Sequence, residues 1–235
     1  MPPRRRMAEG QRSGGNPDTT DGYLPFQQYA KDASSMFKAR FLAAGLAGMT
    51  LTGCMSFTPA GPIYPPSQII EHSLPGSAMI KDVKVTDTRI DENTRRNIGN
   101  QLTAQISQHI EKGEYFKRVI SFPAKLNEQD VQLQFDFSSL KGKRTPHPGY
   151  VPGALLTLTI WIWVNGPIYV DKYDLAAELQ ILDNQGRQLA LSQKNLVVDK
   201  NTGLWDYDYM FPSGGQQLTE LVEQLLQDGT RQLTH

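Results

Sequence analysis

The chain holds one thiol in 235 residues, Cys54, and it closes the stretch "FLAAGLAGMTLTGC". A single cysteine excludes an intrachain disulfide and any multi-thiolate zinc site. What remains for this sulfur is an inert, buried place after a core helix or a role tied to the run that precedes it. Thr52 and Gly53 before it are small. Upstream, Met36, Phe37, Lys38, Ala39 and Arg40 make a basic start. Phe41 to Leu51 follow as an apolar run, well short of the roughly 20 residues that span a bilayer as a helix. A basic start, a short apolar middle and small residues at the end form a secretory signal.

Other reactive groupings are sparse. His72, His109, His147 and His235 have no ligand-like spacing, and there is no nucleophile elbow or phosphate-cradling loop. Asp206 and Asp208 stand two apart in "LWDYDYMFP". On a strand both would point the same way and meet one ion, but no further acidic ligands follow at loop spacing. The expectation is no catalytic residue and no metal.

Aromatic residues are concentrated instead. Trp161, Trp163, Tyr169 and Tyr173 surround one expected hairpin, and Trp205, Tyr207, Tyr209 and Phe211 alternate with the two aspartates. Rings with an apolar body and a polar tip suit a partner protein, a glycan or the lipid headgroup zone. The competing reading is cross-strand packing. The candidate partner or ligand surface is therefore Trp161, Trp163, Tyr169, Trp205, Asp206, Tyr207, Asp208 and Tyr209. Lys141, Lys143 and Arg144 with His147 form a basic loop, suited to peptidoglycan carboxylates or anionic headgroups, or simply solvated.

These residues need a scaffold. Apolar content is 39%, charged content 20%, and the formal net charge is zero, which suits a globular body and argues against nucleic-acid binding. Residues 1–35 are polar with no apolar period, and read as a disordered extension or a start placed before the true Met36. Residues 36–53 are the signal peptide. Residues 54–77 carry five prolines, at 59, 62, 65, 66 and 75, and read as a tether of partly polyproline character, free or packed on the domain.

The folded domain is expected over 78–235. "AMIKDVKVTD" reads as a first strand. Asp91 caps a helix whose stripe is Ile98, Leu102, Ile106 and Ile110, and Gly113 ends it. "YFKRVISF" and the alternating "DVQLQFDF" are strands, and "SSLKGKRTPHPGYVPG" is a loop. "ALLTLTIWIWV" reads as a long strand with Leu156, Leu158, Ile160, Ile162 and Val164 on one face and the tryptophans on the other. "YDLAAELQIL", the turn "DNQG" and "RQLALSQKNLVVD" form a hairpin. Ser213 and Gln216 offer a capping box before a final stripe of Leu218, Leu221, Val222, Leu225 and Leu226. The fold class is α+β: one mostly antiparallel sheet of about five or six strands, with two amphipathic helices on one face, ordered β-α-β-β-β-β-β-α.

The "LTGC" ending resembles the lipobox of bacterial lipoproteins. The resemblance implies that diacylglycerol is joined to the Cys54 sulfur, that the preceding bond is cut, and that the new amine is acylated. Met55, rather than aspartate, after the cysteine implies delivery to the outer membrane, facing the periplasm. Beyond the covalent lipid no cofactor is expected.

The strand, the helix ending at Gly113, and "GEYFKRV" with Phe116 and Val119 resemble a group of envelope lipoproteins with an anticodon-binding-domain-like α+β fold. The group includes the curli secretion lipoprotein, activators of peptidoglycan synthases and the Pel export lipoprotein. Asp183 to Gly186 resemble a later "D-x-x-G" turn of that group, over a likeness spanning about Met79 to Leu233. It implies a non-enzymatic, lipid-anchored accessory or assembly subunit that binds an envelope protein, in secretion, polysaccharide export or wall synthesis, with a homo-oligomer left open. A glycan- or lipid-binding module is the alternative, and a periplasmic hydrolase ranks below it. Channel formation is not carried over, since only one hairpin is available to span a membrane.

Overall fold

The computed structural model describes residues 54–66 and 74–234. The segments expected to be an extension and a signal peptide, part of the proline-rich stretch and His235 lie outside the described residues. In chain order the elements are β1 (Met55–Phe57), β2 (Leu74–Ile80), β3 (Lys84–Val85), α1 (Glu92–Lys112), β4 (Phe116–Ser121), β5 (Val131–Pro146), α2 (Tyr150–Leu156), α3 (Ile160–Trp163), β6 (Tyr169–Leu182), β7 (Gln188–Thr202) and α4 (Gly215–Leu233). The fold is α+β. Its sheet runs β4-β2-β5-β6-β7, with β1 and β3 also paired to β5.

The long ladders, β5–β6 and β6–β7, are antiparallel, as is β1–β5. The pairs β2–β4, β2–β5 and β3–β5 are parallel, so the sheet is mixed. One edge of β5 is served in turn by β2, β3 and β1, and its other edge by β6 alone.

β5 continues through "SSLKGKRTP", where a loop was expected. The cause is a register shift between Phe137 and Ser139, opposite Ala177 and Ala176. Val131, Leu133, Phe135 and Phe137 hold the buried face before it; Leu140, Gly142 and Arg144 hold it afterwards. A bulge shifts the two-residue period by one, which hides the second half of the strand from an alternation search. Gly142 is required there because the Phe57 ring lies on its backbone, edge-to-face with Tyr173 at 5.7 Å.

"ALLTLTIWIWV" is the clearest correction. It forms α2 and α3, not a strand, because β5 pairs directly with β6 as far as Pro146 and Tyr169. The ladder is already complete without it. Pro152 falls in the first turn of α2, where its missing N–H leaves no helical bond unmade.

The helical layer follows the expected stripes. Leu102, Ile106 and Ile110 of α1 and Leu218, Leu221, Val222, Leu225 and Leu226 of α4 are fully buried against the sheet. Asp91 caps α1 by accepting from Thr94 N at 3.0 Å. The expected capping box on α4 does not form. Gly214, at φ 68°, is the N-cap, and Gln216 accepts from Lys200 Nζ at 3.3 Å instead.

The first part of the proline-rich stretch is packed on the domain. Ile63 N donates to Gln105 Oε1 at 2.9 Å and Tyr64 N to Thr219 Oγ1 at 2.8 Å. His109 Nδ1 donates to Tyr64 O at 2.7 Å. These bonds lay the segment against α1 and α4. The second proline-rich part contributes Leu74–Ser77 to β2.

Asp87 fastens β3 to the bulged region of β5. It is buried, and accepts from Leu140 N at 2.9 Å and from Arg89 Nε and Nη2 at 2.8 and 2.6 Å. The bond from Arg89 is the main cause of a carboxyl held far below its ordinary range. A depressed carboxyl contributes stability above its unfolded value and loses it as pH falls toward the folded one. Asp87→Ala should therefore cost about 1–3 kcal/mol near neutral pH. In urea unfolding that difference should shrink as pH drops below about 4; an equal loss at both pH values would contradict the assignment.

Candidate functional site

β5, β6 and β7 end together, with Pro146 opposite Tyr169 and Tyr169 opposite Thr202. Two connections leave this rim: residues 147–168, carrying α2 and α3, and residues 203–214. The last inward-facing position of β5 is Arg144, directly opposite Asp171. Arg144 Nε and Nη2 each donate to Asp171 at 2.6 Å, and both residues are buried. Thr202 Oγ1 gives Asp171 a further bond at 2.7 Å.

The rest of the guanidinium holds the second connection. Nη1 donates to Tyr209 O at 2.6 Å and Nη2 to Asp208 O at 2.8 Å. The guanidinium carbon lies 4.9 Å from the centre of the Tyr169 ring, which in turn contacts Tyr209 at 5.8 Å. Burial works against the charge on Arg144, but the hydrogen bonds and charge of Asp171 outweigh it and push the guanidinium above its ordinary value. A bidentate, fully bonded pair of this kind is the arrangement in which a buried charge is tolerated.

A second tie joins the two connections to each other. Asn165 Oδ1 accepts from Trp205 N at 3.0 Å, and Asn165 Nδ2 donates to Asp206 Oδ1 at 3.2 Å. Asp206 also caps Gly203 N at 2.6 Å. Asn165 sits at φ 56°, a left-handed conformation that asparagine tolerates. Beside this tie Trp163 and Trp205 meet at 6.3 Å.

Held this way, the rim presents apolar side chains to solvent from both connections. Leu156 and Leu158 are 84% and 83% exposed, and Tyr207 and Phe211 86% and 79%. Leu155, Ile160, Trp163, Val164, Trp205 and Met210 are exposed alongside them. A grouping of large apolar residues this dense is more than ordinary surface scatter and makes the rim the candidate site.

The expected site residues divide accordingly. Trp163, Trp205 and Tyr207 are exposed on the rim. Trp161, Tyr169 and Tyr209 are half-buried supports, and Trp161 Nε1 donates to Pro167 O at 3.2 Å. Asp206 and Asp208 do not converge on one ion. Asp208 is buried and bonded to Lys200 Nζ at 2.9 Å and Ser213 Oγ at 3.0 Å, while Asp206 serves the tie. Among the described residues no group of three His, Cys, Asp or Glu side chains could hold a metal.

The exposed aliphatic residues were missed because a strand reading put Leu156, Leu158 and Ile160 on the face opposite the tryptophans taken as the candidate surface. Arg144 was missed because it was read into a basic loop. Lys141 and Lys143 are exposed on the outer face of β5, and half-buried His147 accepts from Gly149 N at 3.1 Å. At the other end of β5 lies an open polar hollow of about 760 Å³, bordered by Gly76, Lys117, Arg118 and Asn184. Its buried Asp130 is occupied in accepting from Ser77 N and Asn127 N.

Cys54 is exposed at the rim end. Met55 pairs with Arg144 in an antiparallel register, so Cys54 lies one residue further toward the end of β5. Among the described residues no helix is long and apolar enough to cross a membrane.

No protein-family model and no curated protein sequence matches the chain. Several solved structures resemble it at low similarity. A Xanthomonas campestris protein of the family called DUF330 aligns at 10% identity and a TM-score of 0.43, over 76% of this chain and 97% of its own. A PelC dodecamer from Paraburkholderia phytofirmans aligns at 10% identity and a TM-score of 0.33, over 76% and 98%. A minor lipoprotein from Acinetobacter baumannii aligns at 13% identity and a TM-score of 0.33, over 67% and 91%. At such scores likeness of fold carries no inference about activity.

Removing the guanidinium leaves the Asp171 charge buried. Arg144→Met should cost about 3–5 kcal/mol in urea unfolding, while Tyr207→Ser should stay within about 0.5 kcal/mol. Equal effects would contradict a division into support and exposed surface.

Proposed function

We propose that this chain is a lipid-anchored accessory subunit of the bacterial cell envelope, working by binding rather than by turnover. The observation that carries this reading is the apolar rim at the end of the sheet where Cys54 sits. The lipobox-like "LTGC" supports acylation of Cys54, and Met55 after it supports the periplasmic face of the outer membrane. The acidic groups at the rim cap backbone or pair with Lys200, which leaves the exposed surface to apolar contact.

In this reading the lipid sets position and the rim makes the contact. One methylene of buried chain contributes roughly 0.8 kcal/mol, so a single acyl chain holds marginally and several hold firmly. The order in the segment after the anchor matters too. Because Met55–Phe57 is a strand of the sheet and residues 58–66 are packed on the helices, the domain is carried close to the bilayer rather than on a long leash. Assembly with an envelope protein, or with further copies of this chain, would then take place at the membrane surface.

Metabolic labelling with an alkyne fatty acid tests the anchor. The wild-type chain should take up label and fractionate with outer membranes, and Cys54→Ser should take up no label. An unmodified Cys54 in the mature cell-derived protein, measured by mass, would overturn the reading.

A further inference from the structure

We propose that the rim formed by residues 150–164 and 203–211 is a membrane-interface seat, whose ligand is the phospholipid headgroup and upper acyl zone. The proposal rests on the anchored reading above for its orientation, and on the rim's own geometry for its chemistry.

The composition fits an interface. Aliphatic residues Leu156, Leu158 and Val164 project beside Trp163, Trp205 and Tyr207, the two ring types that settle at headgroup depth. Exposed Lys141 and Lys143 stand on the outer face of β5 a few residues before the rim, where they can meet anionic headgroups.

The backbone fits as well. Apolar surroundings offer no partner for a free N–H or C=O, so a segment that enters them must satisfy its own. Helical turns do this in the first connection. Thr157 N donates to Gly153 O at 3.1 Å, Ile162 N to Thr159 O at 3.0 Å, and Val164 N to Ile160 O at 3.1 Å. Gly166 N donates to Trp161 O at 2.7 Å, which closes the segment. A strand edge in the same place would leave its groups open.

Position supplies the remaining argument. Cys54 is exposed and lies one residue past the Met55–Arg144 pair, so a lipid on its sulfur would be held at this same end. An anchored Cys54 and the rim would face one bilayer together. A protein groove or a second copy would have no such reason to share that end.

The chain carries a built-in reporter, because all three of its tryptophans, Trp161, Trp163 and Trp205, belong to the rim. The test uses the mature chain from residue 54 with Cys54→Ser, which lacks both the acyl site and the apolar run before it, and vesicles of phosphatidylethanolamine and phosphatidylglycerol. Tryptophan emission should shift to the blue and be quenched by lipids brominated near the headgroup end of the acyl chain. Adding Leu156→Ser and Leu158→Ser should reduce quenching and weaken vesicle binding about tenfold or more. Both leucines are more than four-fifths exposed, so the melting temperature should stay unchanged and separate this loss from misfolding.

Vesicle binding without bromolipid quenching would overturn the proposal, since contact would then come from another part of the chain. A concentration-dependent blue shift without lipid, abolished by the same substitutions, would overturn it in favour of a second copy. The anchor is judged separately by the mass of Cys54: quenching with an unmodified cysteine would sustain the seat and sink the anchor, and the reverse result would do the opposite.

Discussion

A buried guanidinium organises the working end of this molecule. Arg144 sits at the last inward position of β5, with two of its donors on Asp171 and others on the carbonyls of Asp208 and Tyr209. Burying the charge is unfavourable, and it is tolerated because nearly every donor has a fixed acceptor. The same bonds that satisfy the arginine hold residues 203–211 against the sheet. One contact thus joins a β-ladder to a connection that has little regular structure of its own.

That constraint explains why apolar residues can stand in water at the rim. Phe211, Tyr207 and Trp205 would fold back onto the nearest core if their backbone were free to move. Bonds from Arg144 and the Asn165 tie hold that backbone in place. In the first connection, helical turns and the left-handed Leu158, Thr159 and Asn165 set the path. A β-branched residue such as Thr159 at φ 76° is held there only when the surroundings over-determine it.

Much of the scaffold was legible in the sequence because it follows simple periods. Asp91, the stripe from Ile98 to Ile110, and Gly113 bound α1 as capping and spacing dictate. Asp183 to Gly186 close the β6–β7 hairpin, with Gly186 at φ 80° as the turn requires. What was not legible depended on long-range pairing. The bulge after Phe137 inverted the face of β5 and disguised Arg144. The run from Ala154 to Val164 alternates like a strand, but β5 and β6 on either side of it pair directly with each other, and no local rule conveys that. The aromatic cluster was found as a cluster, while which of its members support and which face outward depended on Arg144 and Asn165.

The central claim is that the Arg144–Asp171 pair fixes the rim. Amide hydrogen exchange of the wild-type chain beside Arg144→Met tests it most directly. The amides of Gly203 and Trp205, bonded to Asp206 and Asn165, should be protected in the wild type and lose protection together in the variant. Amides of Leu133 and Leu179, deep in the ladder, should keep theirs. Wild-type exchange at Gly203 and Trp205 as fast as in an unstructured peptide would contradict the account.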